Sequence, residues 1–381
     1  AAAGIADDAI ADDSITLTNG SITTSQATVV ANLDAFKANQ VTSITLSEAE
    51  VNANITNDAL AAGSVTVGAV TATSKASVLA NGGEIANGGI TSITLTDGEF
   101  DTFIGANGAA PLAVGSVTLG AVTGNQATIV THIAKITTDG ISAVTFTGAQ
   151  YDALTGVTSA LQDGSVTLNI GGAETVDISD DADLANVLGV TTIAAGGSLT
   201  VDAVGITGKT VGGAGSITVT DVVASTNLSN VNPDGGVTGT VANGVDISGA
   251  ANLGNLDAIT IQSGADVTLS IAQHAIVTAA AGDNAVTLSA TGAVSGNALV
   301  ESYVLADGAG NVFTTNAVGQ TVTGGTGDDQ ITGAGGNDII IGGDGVDTIT
   351  GGLGEDILTG GNGADIFVFN STDSASDIYS D

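Results

Sequence analysis

Residues 1–170 repeat a short pattern of alternating polar and apolar positions. Each copy reads Ser or Ala, a β-branched residue, Thr and a large apolar residue, and this period of two is typical of a half-buried strand. The copies begin at Ser14, Ser43, Ser64, Ser92, Ser116, Ala143 and Ser165, so long and short gaps alternate between them. One repeating unit therefore contains one long gap, one short gap and two strands, and it is about 50 residues long.

The longer gap of each unit has a helical pattern. Ile129, Ile133 and Ile136 follow Asn125 at the spacing of one helix face, and a similar segment follows Ser25. A shorter segment follows the other strand, and its equivalent apolar positions are Val51, Phe100 and Tyr151. Strands that alternate with helices pair in parallel through crossovers. We therefore predict that residues 1–170 form an α/β solenoid-like array, in which each unit buries one face against the next.

The helical pattern fades between residues 171 and 320. Short strand-like segments such as Ser198–Val201 and Ser216–Val219 are separated by glycine-rich turns such as Gly235–Gly236. This composition predicts an all-β region, which could be a sandwich or a solenoid. It contains no residue pattern that points to chemistry.

Residues 324–368 form five consecutive nonapeptides without a gap. The copies begin at Gly324, Gly333, Gly342, Gly351 and Gly360. Each fits Gly-Gly-x-Gly-x-Asp-x-U-x, where U is large and apolar, except that Ala334 replaces the second glycine. Position eight is the predicted core and holds Ile331, Ile340, Ile349, Leu358 and Phe367.

The nonapeptide has the composition of a calcium site. Glycine tolerates a tight loop with its carbonyl oxygens turned inward. Calcium takes six to eight oxygen ligands, which carboxylates and peptide carbonyls can supply. The predicted carboxylate ligands are Asp329, Asp338, Asp347, Asp356 and Asp365. The predicted glycine positions of the metal site are Gly325, Gly327, Gly336, Gly343, Gly345, Gly352, Gly354, Gly361 and Gly363.

This motif resembles the RTX family of calcium-binding nonapeptide repeats. That family lies toward the C-terminal side of many bacterial toxins, enzymes, adhesins and surface-layer proteins exported by type I secretion. The resemblance implies that residues 321–381 form a parallel β-roll and the start of its cap, with two nonapeptides per turn. Loops 1, 3 and 5 would then stack on one edge, and loops 2 and 4 on the other. About three calcium ions are expected, between loops 1 and 3, 2 and 4, and 3 and 5.

The predicted roll is unstable without calcium. Stacked carboxylates about 4.8 Å apart repel by about 1 kcal/mol per pair in water, and by more where water is partly excluded. Burial of the five core side chains contributes about 1.5–3 kcal/mol each, and it must also offset the entropic cost of ordering residues 324–368, about 1–2 kcal/mol per residue. We therefore predict that the repeats are unfolded until calcium binds.

Composition excludes several classes of partner. The chain has 40 acidic and 4 basic residues, and its net charge is −36. Nucleic acid is excluded because its affinity comes largely from cations on phosphates. Membrane insertion is excluded because no apolar run approaches the roughly 18 residues of a spanning helix. The chain has no cysteine, so we expect neither disulfides nor thiolate metal sites.

We predict that the protein is not an enzyme. The motifs His-Glu-x-x-His and Gly-x-Ser-x-Gly are both absent from the sequence, and the two histidines, His132 and His274, are isolated. The predicted function is a secreted, extracellular or cell-surface structural protein that assembles with itself into a layer, filament or matrix. A calcium-dependent adhesin module that binds a cell surface or polysaccharide is the alternative. A third interpretation is the non-catalytic part of a secreted RTX enzyme.

Overall fold

The computed structural model describes residues 30, 33, 41–56, 60–154, 158–181, 187–280, 282–308, 310–370 and 376–381. The strand predicted at Ser14, and all but single residues of the helix predicted after Ser25, lie outside these ranges. The chain divides into two compact units, 1–169 with 186–190, and 170–185 with 191–381. The protein is mostly β, with few helices and parallel sheets.

Eight strands are described up to residue 170. They are β1 (Ile44–Thr45), β2 (Val65–Thr66), β3 (Gly68–Val70), β4 (Ile90–Thr94), β5 (Val117–Thr118), β6 (Gly120–Ala121), β7 (Ile141–Thr147) and β8 (Val166–Ile170). Six of these eight strands overlap the predicted repeats, and β3 and β6 directly follow two of the predicted strands. Their pairing is parallel, as in Ile44 with Val65, Ile93 with Val117 and Val144 with Val166. Val51, Phe100 and Tyr151 are fully buried, as the sequence predicts for core positions. The α/β solenoid-like array as a whole stays a prediction.

Short helices lie between many of the strands. The described helices are α1 (Glu48–Asn54), α2 (Lys75–Ala80), α3 (Asp97–Asn107), α4 (Gln126–Thr131), α5 (Gly148–Asp152), α6 (Ala203–Ile206) and α7 (Ile271–His274), with 3₁₀ turns at Gly82–Glu84, Ile133–Lys135 and Thr158–Ala160. The N-cap of α3 is Thr96, which lies two residues after the end of β4. Thr96 Oγ1 accepts from the Glu99 amide (3.2 Å), and the Thr96 amide donates to Glu99 Oε2 (2.8 Å). This capping box begins α3.

The region 171–320 is not entirely β. Its strands are β9 (Thr175–Asp177), β10 (Leu188–Ile193), β11 (Ser198–Asp202), β12 (Thr210–Gly213), β13 (Ser216–Thr220), β14 (Val237–Val241), β15 (Val245–Asp246), β16 (Ala258–Ile261), β17 (Asp266–Leu269), β18 (Val277–Ala280), β19 (Ala285–Leu288), β20 (Ala293–Ser295), β21 (Ser302–Val304) and β22 (Val312–Thr314). The helices α6 and α7 interrupt them, which corrects the all-β prediction. The local cause at α7 is a second capping box, in which Ser270 and Gln273 bond to each other's amides.

The described strand pairs of this region are all parallel. Leu199 pairs with Ile217, Ile217 with Val237, and Gly239 with Ile259, so the partners follow one another at nearly constant spacing along the sequence. Each turn of the chain therefore adds one strand to the sheet, parallel to the strand of the turn before. This pairing favours the solenoid over the sandwich, because sandwiches are built from antiparallel sheets.

The C-terminal strands continue the parallel stacking of the preceding region. They are β23 (Thr321–Thr326), β24 (Gln330–Thr332), β25 (Ile339–Asp344), β26 (Thr348–Thr350), β27 (Ile357–Asn362), β28 (Ile366–Val368) and β29 (Ile378–Ser380). One sheet has the order β15-β17-β19-β21-β23-β25-β27-β29, and the other has the order β20-β22-β24-β26-β28. Both sheets cross residue 320, so the described strands show no break at the predicted domain boundary.

The nonapeptide core lies between the two sheets. Ile331, Ile340, Ile349 and Leu358 are fully buried at position eight, as predicted. Phe367 is only half-buried, contrary to the prediction. It lies on β28, the edge strand of its sheet, and it packs against the Tyr379 ring at 5.5 Å. A ring on an edge strand has a neighbouring strand on one side only.

Candidate calcium centre

The strand register stacks the nonapeptide loops in two sets. Gly325 pairs with Gly343, and Gly343 with Gly361, so loops 1, 3 and 5 lie above one another. A bridge between Gly335 and Leu353 aligns loops 2 and 4. Each step between stacked loops spans two nonapeptides, which therefore complete one turn. The arrangement implied by the sequence resemblance is present, and the repeats are consistent with a β-roll.

The loop backbone requires glycine. All nine glycines predicted for the metal site have φ between 88° and 150°. At Gly345, φ is 147°, and a Cβ would overlap the carbonyl oxygen of Gly327 one turn above. A side chain there would both strain the backbone and separate the stacked loops.

The aspartates of loops 1, 3 and 5 form a hydrogen-bonded ladder. We call Asp329, Asp347 and Asp365 the odd column. The Asp329 amide donates to Asp347 Oδ1 (2.8 Å), and the Asp347 amide donates to Asp365 Oδ1 (2.9 Å). At its upstream end, Asn311 donates from its amide (2.6 Å) and from Nδ2 (2.8 Å) to Asp329 Oδ1. One oxygen of each carboxylate therefore fixes the spacing between turns.

Asp338 and Asp356 form a second ladder, the even column. The Asp338 amide donates to Asp356 Oδ1 (2.8 Å), and the Gln320 amide donates to Asp338 Oδ1 (2.8 Å). The ladder continues past the last nonapeptide, where the Asp356 amide donates to Asp377 Oδ1 (3.0 Å). The structure thus places all five predicted aspartates in two columns, inward of the turns.

The second carboxylate oxygen of the odd column is suited to a cation. Asp329, Asp347 and Asp365 each bury Oδ2 without a hydrogen-bond partner. A buried unpaired carboxylate oxygen is costly unless it is protonated or bound to a cation. A Cβ on the first glycine of the same loop would contact that oxygen, so glycine leaves the space beside it open. These residues fit a calcium ion, which would neutralise the charge of the carboxylates and bind their unpaired oxygens.

Electrostatics in the absence of a cation oppose ionisation. Burial raises the pKa of Asp329, Asp338 and Asp347, and it raises the pKa of Asp338 to about 6. Neighbouring carboxylates add to the rise in pKa, since Asp329 and Asp365 both act on Asp347. A divalent cation beside these groups would reverse this effect and favour the ionised form.

Carbonyl oxygens must complete the ligand sets. Within the described ranges, no group of three or more His, Cys, Asp or Glu side chains converges on a common metal position. One carboxylate per loop is too few for calcium, so peptide oxygens of the glycine turns would complete the ligand set. Position five is structural, since Asp328 Oδ1 accepts from the Val346 amide and Asn337 Oδ1 from the Glu355 amide.

Several residues of the ladders were not identified from the sequence. Asn311 and Gln320 take the place of the position-six aspartate in the turn above loops 1 and 2. Each lies two nonapeptide lengths before an aspartate of the motif, Asp329 or Asp338, and that spacing was the available signal. Asp377 was missed because it lies further from Asp356 than two nonapeptide lengths.

The comparisons with known proteins identify the repeats. The model for the RTX calcium-binding nonapeptide repeat, in four copies, matches residues 317–349 and 341–371. RTX nonapeptide repeats bind calcium ions, and calcium is therefore the cofactor of this segment. No curated protein and no solved structure gives a significant match to the chain.

No helix in the described part of the chain is long and apolar enough to cross a membrane.

Proposed function

We propose that this chain is a secreted structural protein that assembles with itself into an extracellular layer, filament or matrix. Calcium controls both the folding of the repeats and the assembly, and the protein has no catalytic role. Two findings support the calcium-dependent part of this proposal. They are the match to RTX repeats, which typically occur in secreted proteins, and the buried carboxylate oxygens of the odd column.

A row of exposed isoleucines carries the assembly part of the proposal. Ile339, Ile357 and Ile378 face outward from consecutive strands β25, β27 and β29, and they are 41%, 43% and 59% exposed. Strand pairing aligns them directly, so they form one apolar strip on a protein whose net charge is −36. Contiguous exposed apolar surface marks an interaction site more often than scattered apolar residues do. We define these three residues as the isoleucine strip.

The isoleucine strip depends on the calcium turns. Ile339 and Ile357 follow Asp338 and Asp356 directly in the chain, and the amides of both isoleucines bond to the turn above. The aspartates fix the register that aligns the strip. If the turns do not fold without calcium, the three side chains lose their common face.

Net charge makes a second calcium effect necessary. Copies that carry −36 repel one another when their surfaces approach within the Debye length of about 8 Å. Divalent ions bound in the roll lower that repulsion. With that repulsion lowered, we expect a second copy of the chain to cover the isoleucine strip with its own.

Calcium-dependent assembly can be tested on the full chain. Light scattering after size exclusion and negative-stain images should show monomers in chelator, and ordered sheets or fibres in millimolar calcium. A variant with Ile339, Ile357 and Ile378 all replaced by Thr should bind calcium normally but stay monomeric. Thr retains the β-branch and the strand preference.

Ile366→Thr is the matched control. Ile366 is 52% exposed, but it lies on the outer face of the other sheet. This variant should assemble like the parent chain. A calcium-loaded parent chain that stays monomeric would contradict the proposal, and binding to a polysaccharide on a glycan array would favour the adhesin instead.

A further inference from the structure

Several asparagines in the described part of the chain are followed directly by glycine. They are Asn81, Asn87, Asn107, Asn243 and Asn362. The backbone nitrogen of the following residue can attack the side-chain amide carbon of an asparagine, and glycine hinders that attack least because it has no side chain. Such pairs are therefore the positions at which an asparagine most readily loses ammonia.

The fold restrains this attack at the four pairs upstream of the nonapeptides. The amides of Gly88, Gly108 and Gly244 each donate to a backbone carbonyl oxygen at 2.8 Å, which fixes the attacking nitrogen. Gly82 is buried, and the side chain of Asn81 is held by a hydrogen bond from Nδ2 to the Ser77 carbonyl oxygen (2.9 Å). In each pair, either the nitrogen or the side chain is therefore held in place.

Asn362 and Gly363 differ because they lie in loop 5, the last nonapeptide loop of the odd column. In the earlier loops of that column, the glycine at position four donates to the turn below: the Gly327 amide to the Asp344 carbonyl (2.7 Å), and the Gly345 amide to the Asn362 carbonyl (2.8 Å). No nonapeptide loop follows below loop 5, and the Gly363 amide has no acceptor among the described residues. Both residues of the pair are exposed. The attacking nitrogen is therefore free and in contact with water.

One hydrogen bond restrains the side chain of Asn362. Its Nδ2 donates to Asp344 Oδ1 (2.7 Å) in loop 3. Loops 3 and 5 are one of the three pairs expected to hold a calcium ion, so this hydrogen bond requires the stacking that calcium stabilises. Without calcium, Asn362 and Gly363 would lie in an unfolded segment, where the chain is free to bring the glycine nitrogen to the side-chain amide.

We propose that Asn362 is a deamidation site that bound calcium protects. The Gly363 nitrogen bonds to Asn362 Cγ, the bond between Cγ and Nδ2 breaks, and the side-chain nitrogen leaves as ammonia with the proton that the glycine amide gave up. Water then opens the cyclic imide at either carbonyl, which leaves aspartate or isoaspartate at position 362. One water is consumed for each ammonia released. The inference requires calcium-dependent folding of the repeats, but it does not depend on self-assembly.

Both products oppose the stacking of loop 5 on loop 3. Isoaspartate routes the backbone through the former side chain and adds one carbon between the two α-carbons. Loop 5 has no room for an added carbon, because a Cβ on Gly363 would already overlap the Gly345 carbonyl oxygen one turn above. Aspartate would place a second carboxylate against Asp344 Oδ1, where a hydrogen-bond donor now lies. A chain modified during calcium loss should therefore refold poorly when calcium returns.

Timed incubation of the full chain, in chelator or in millimolar calcium, tests the site. Peptide mass spectrometry measures the conversion of amide to acid at each asparagine. We expect conversion at Asn362 to be at least about tenfold faster in chelator than in calcium, because in calcium the stacked loops must first open locally. Asn87 is the control within the same chain. It is exposed and precedes glycine, but it lies far outside the calcium repeats, so its conversion should not depend on calcium.

Two variants test the hydrogen bond and the consequence separately. Asp344→Ala removes the acceptor of the Asn362 side chain and should speed conversion at Asn362 about two- to fivefold in saturating calcium, the factor that one exposed hydrogen bond contributes. Asn362→Gln has a longer side chain that closes a ring far more slowly. After long incubation in chelator, this variant should regain its full far-UV circular dichroism signal when calcium is restored, whereas the parent chain should regain progressively less.

The failures of this inference and of calcium-dependent folding are distinguishable. Equal conversion rates at Asn362 in calcium and in chelator, in samples whose circular dichroism shows an unfolded roll in chelator, would overturn the protected site alone. Conversion at the parent rate in D344A would overturn the restraint assigned to Asp344. A roll that keeps its β signal in chelator would refute calcium-dependent folding, and the calcium control of this site with it.

Discussion

Replacing Asp347 by Asn removes one negative charge from the middle of the odd column. Asp347 is fully buried, and it lies between Asp329 above and Asp365 below. Its loop belongs to two of the three pairs of nonapeptide loops expected to hold ions. The substitution has two opposing effects on the folded state, so its sign depends on their magnitudes.

The attraction to calcium outweighs the repulsion between carboxylates. At about 2.4 Å a divalent ion gains about 3.5 kcal/mol from one carboxylate at a water-like dielectric constant, or about 7 kcal/mol for two ions. Repulsion from two carboxylates about 4.8 Å away amounts to only about 2 kcal/mol in total. The net loss of binding free energy is about 5 kcal/mol. Shared over three cooperatively bound ions, this loss raises the calcium midpoint about ten- to twentyfold.

The assay is a calcium titration of the full chain that follows the β signal by far-UV circular dichroism. Asp344→Asn is the control within the same loop. Asp344 is exposed and accepts a hydrogen bond from Asn362 Nδ2 (2.7 Å), so its calcium midpoint should stay within about twofold of the parent value. A D347N midpoint equal to or below that of the parent chain would refute the assignment of the odd column as ligands.

Three further predictions concern pH, the loops and the core. The pKa of Asp338 is raised above its ordinary value to about 6, so the calcium-free roll gains stability as the pH falls from 7 toward 4.5, whereas protons displace bound calcium. Circular dichroism in calcium-depleted buffer should therefore show β structure appearing on acidification. A roll that gains no β structure would contradict this prediction. Gly345→Ala should raise the calcium midpoint or abolish the transition, because its Cβ overlaps Gly327, whereas Gly98→Ala, which has open space, should not. Ile349→Ala should lower the free energy of unfolding in calcium by about 2–5 kcal/mol in urea titrations, and a loss below about 1 kcal/mol would show that this core is not closely packed.

The nonapeptides were the most predictable part of the fold. Their period fixes which side chains face inward, because every second nonapeptide returns the chain to the same edge. Ile340 and Ile349 are buried and Asp347 lies in a column for that reason. Calcium chemistry followed from the residue types, since aspartate and glycine supply oxygen ligands and the backbone freedom to present them.

The upstream half of the roll was less predictable. Asn311 and Gln320 preserve the hydrogen bonds of the ladder without the aspartate that defines the motif. The stacked turns therefore continue upstream of residue 324, where the nonapeptide motif is no longer recognisable. Parallel pairing between residues 171 and 320 could not be separated from antiparallel pairing, because both give the same alternation along a strand.

Short helices were missed for a different reason. A single capping box at Ser270 and Gln273 suffices for the short helix α7, which has too few residues to produce a helical period. Conversely, Phe100 and Tyr151 were identified as core because their position relative to the preceding strand repeats along the chain.

Hydrogen exchange of the full chain, read by mass spectrometry with calcium and with chelator, tests the central claim most directly. We predict that peptides from residues 321–370 exchange rapidly in chelator and become strongly protected in calcium, while peptides from residues 90–170 change little. Equal protection of residues 321–370 in both conditions would show that the roll folds without calcium and would contradict the account.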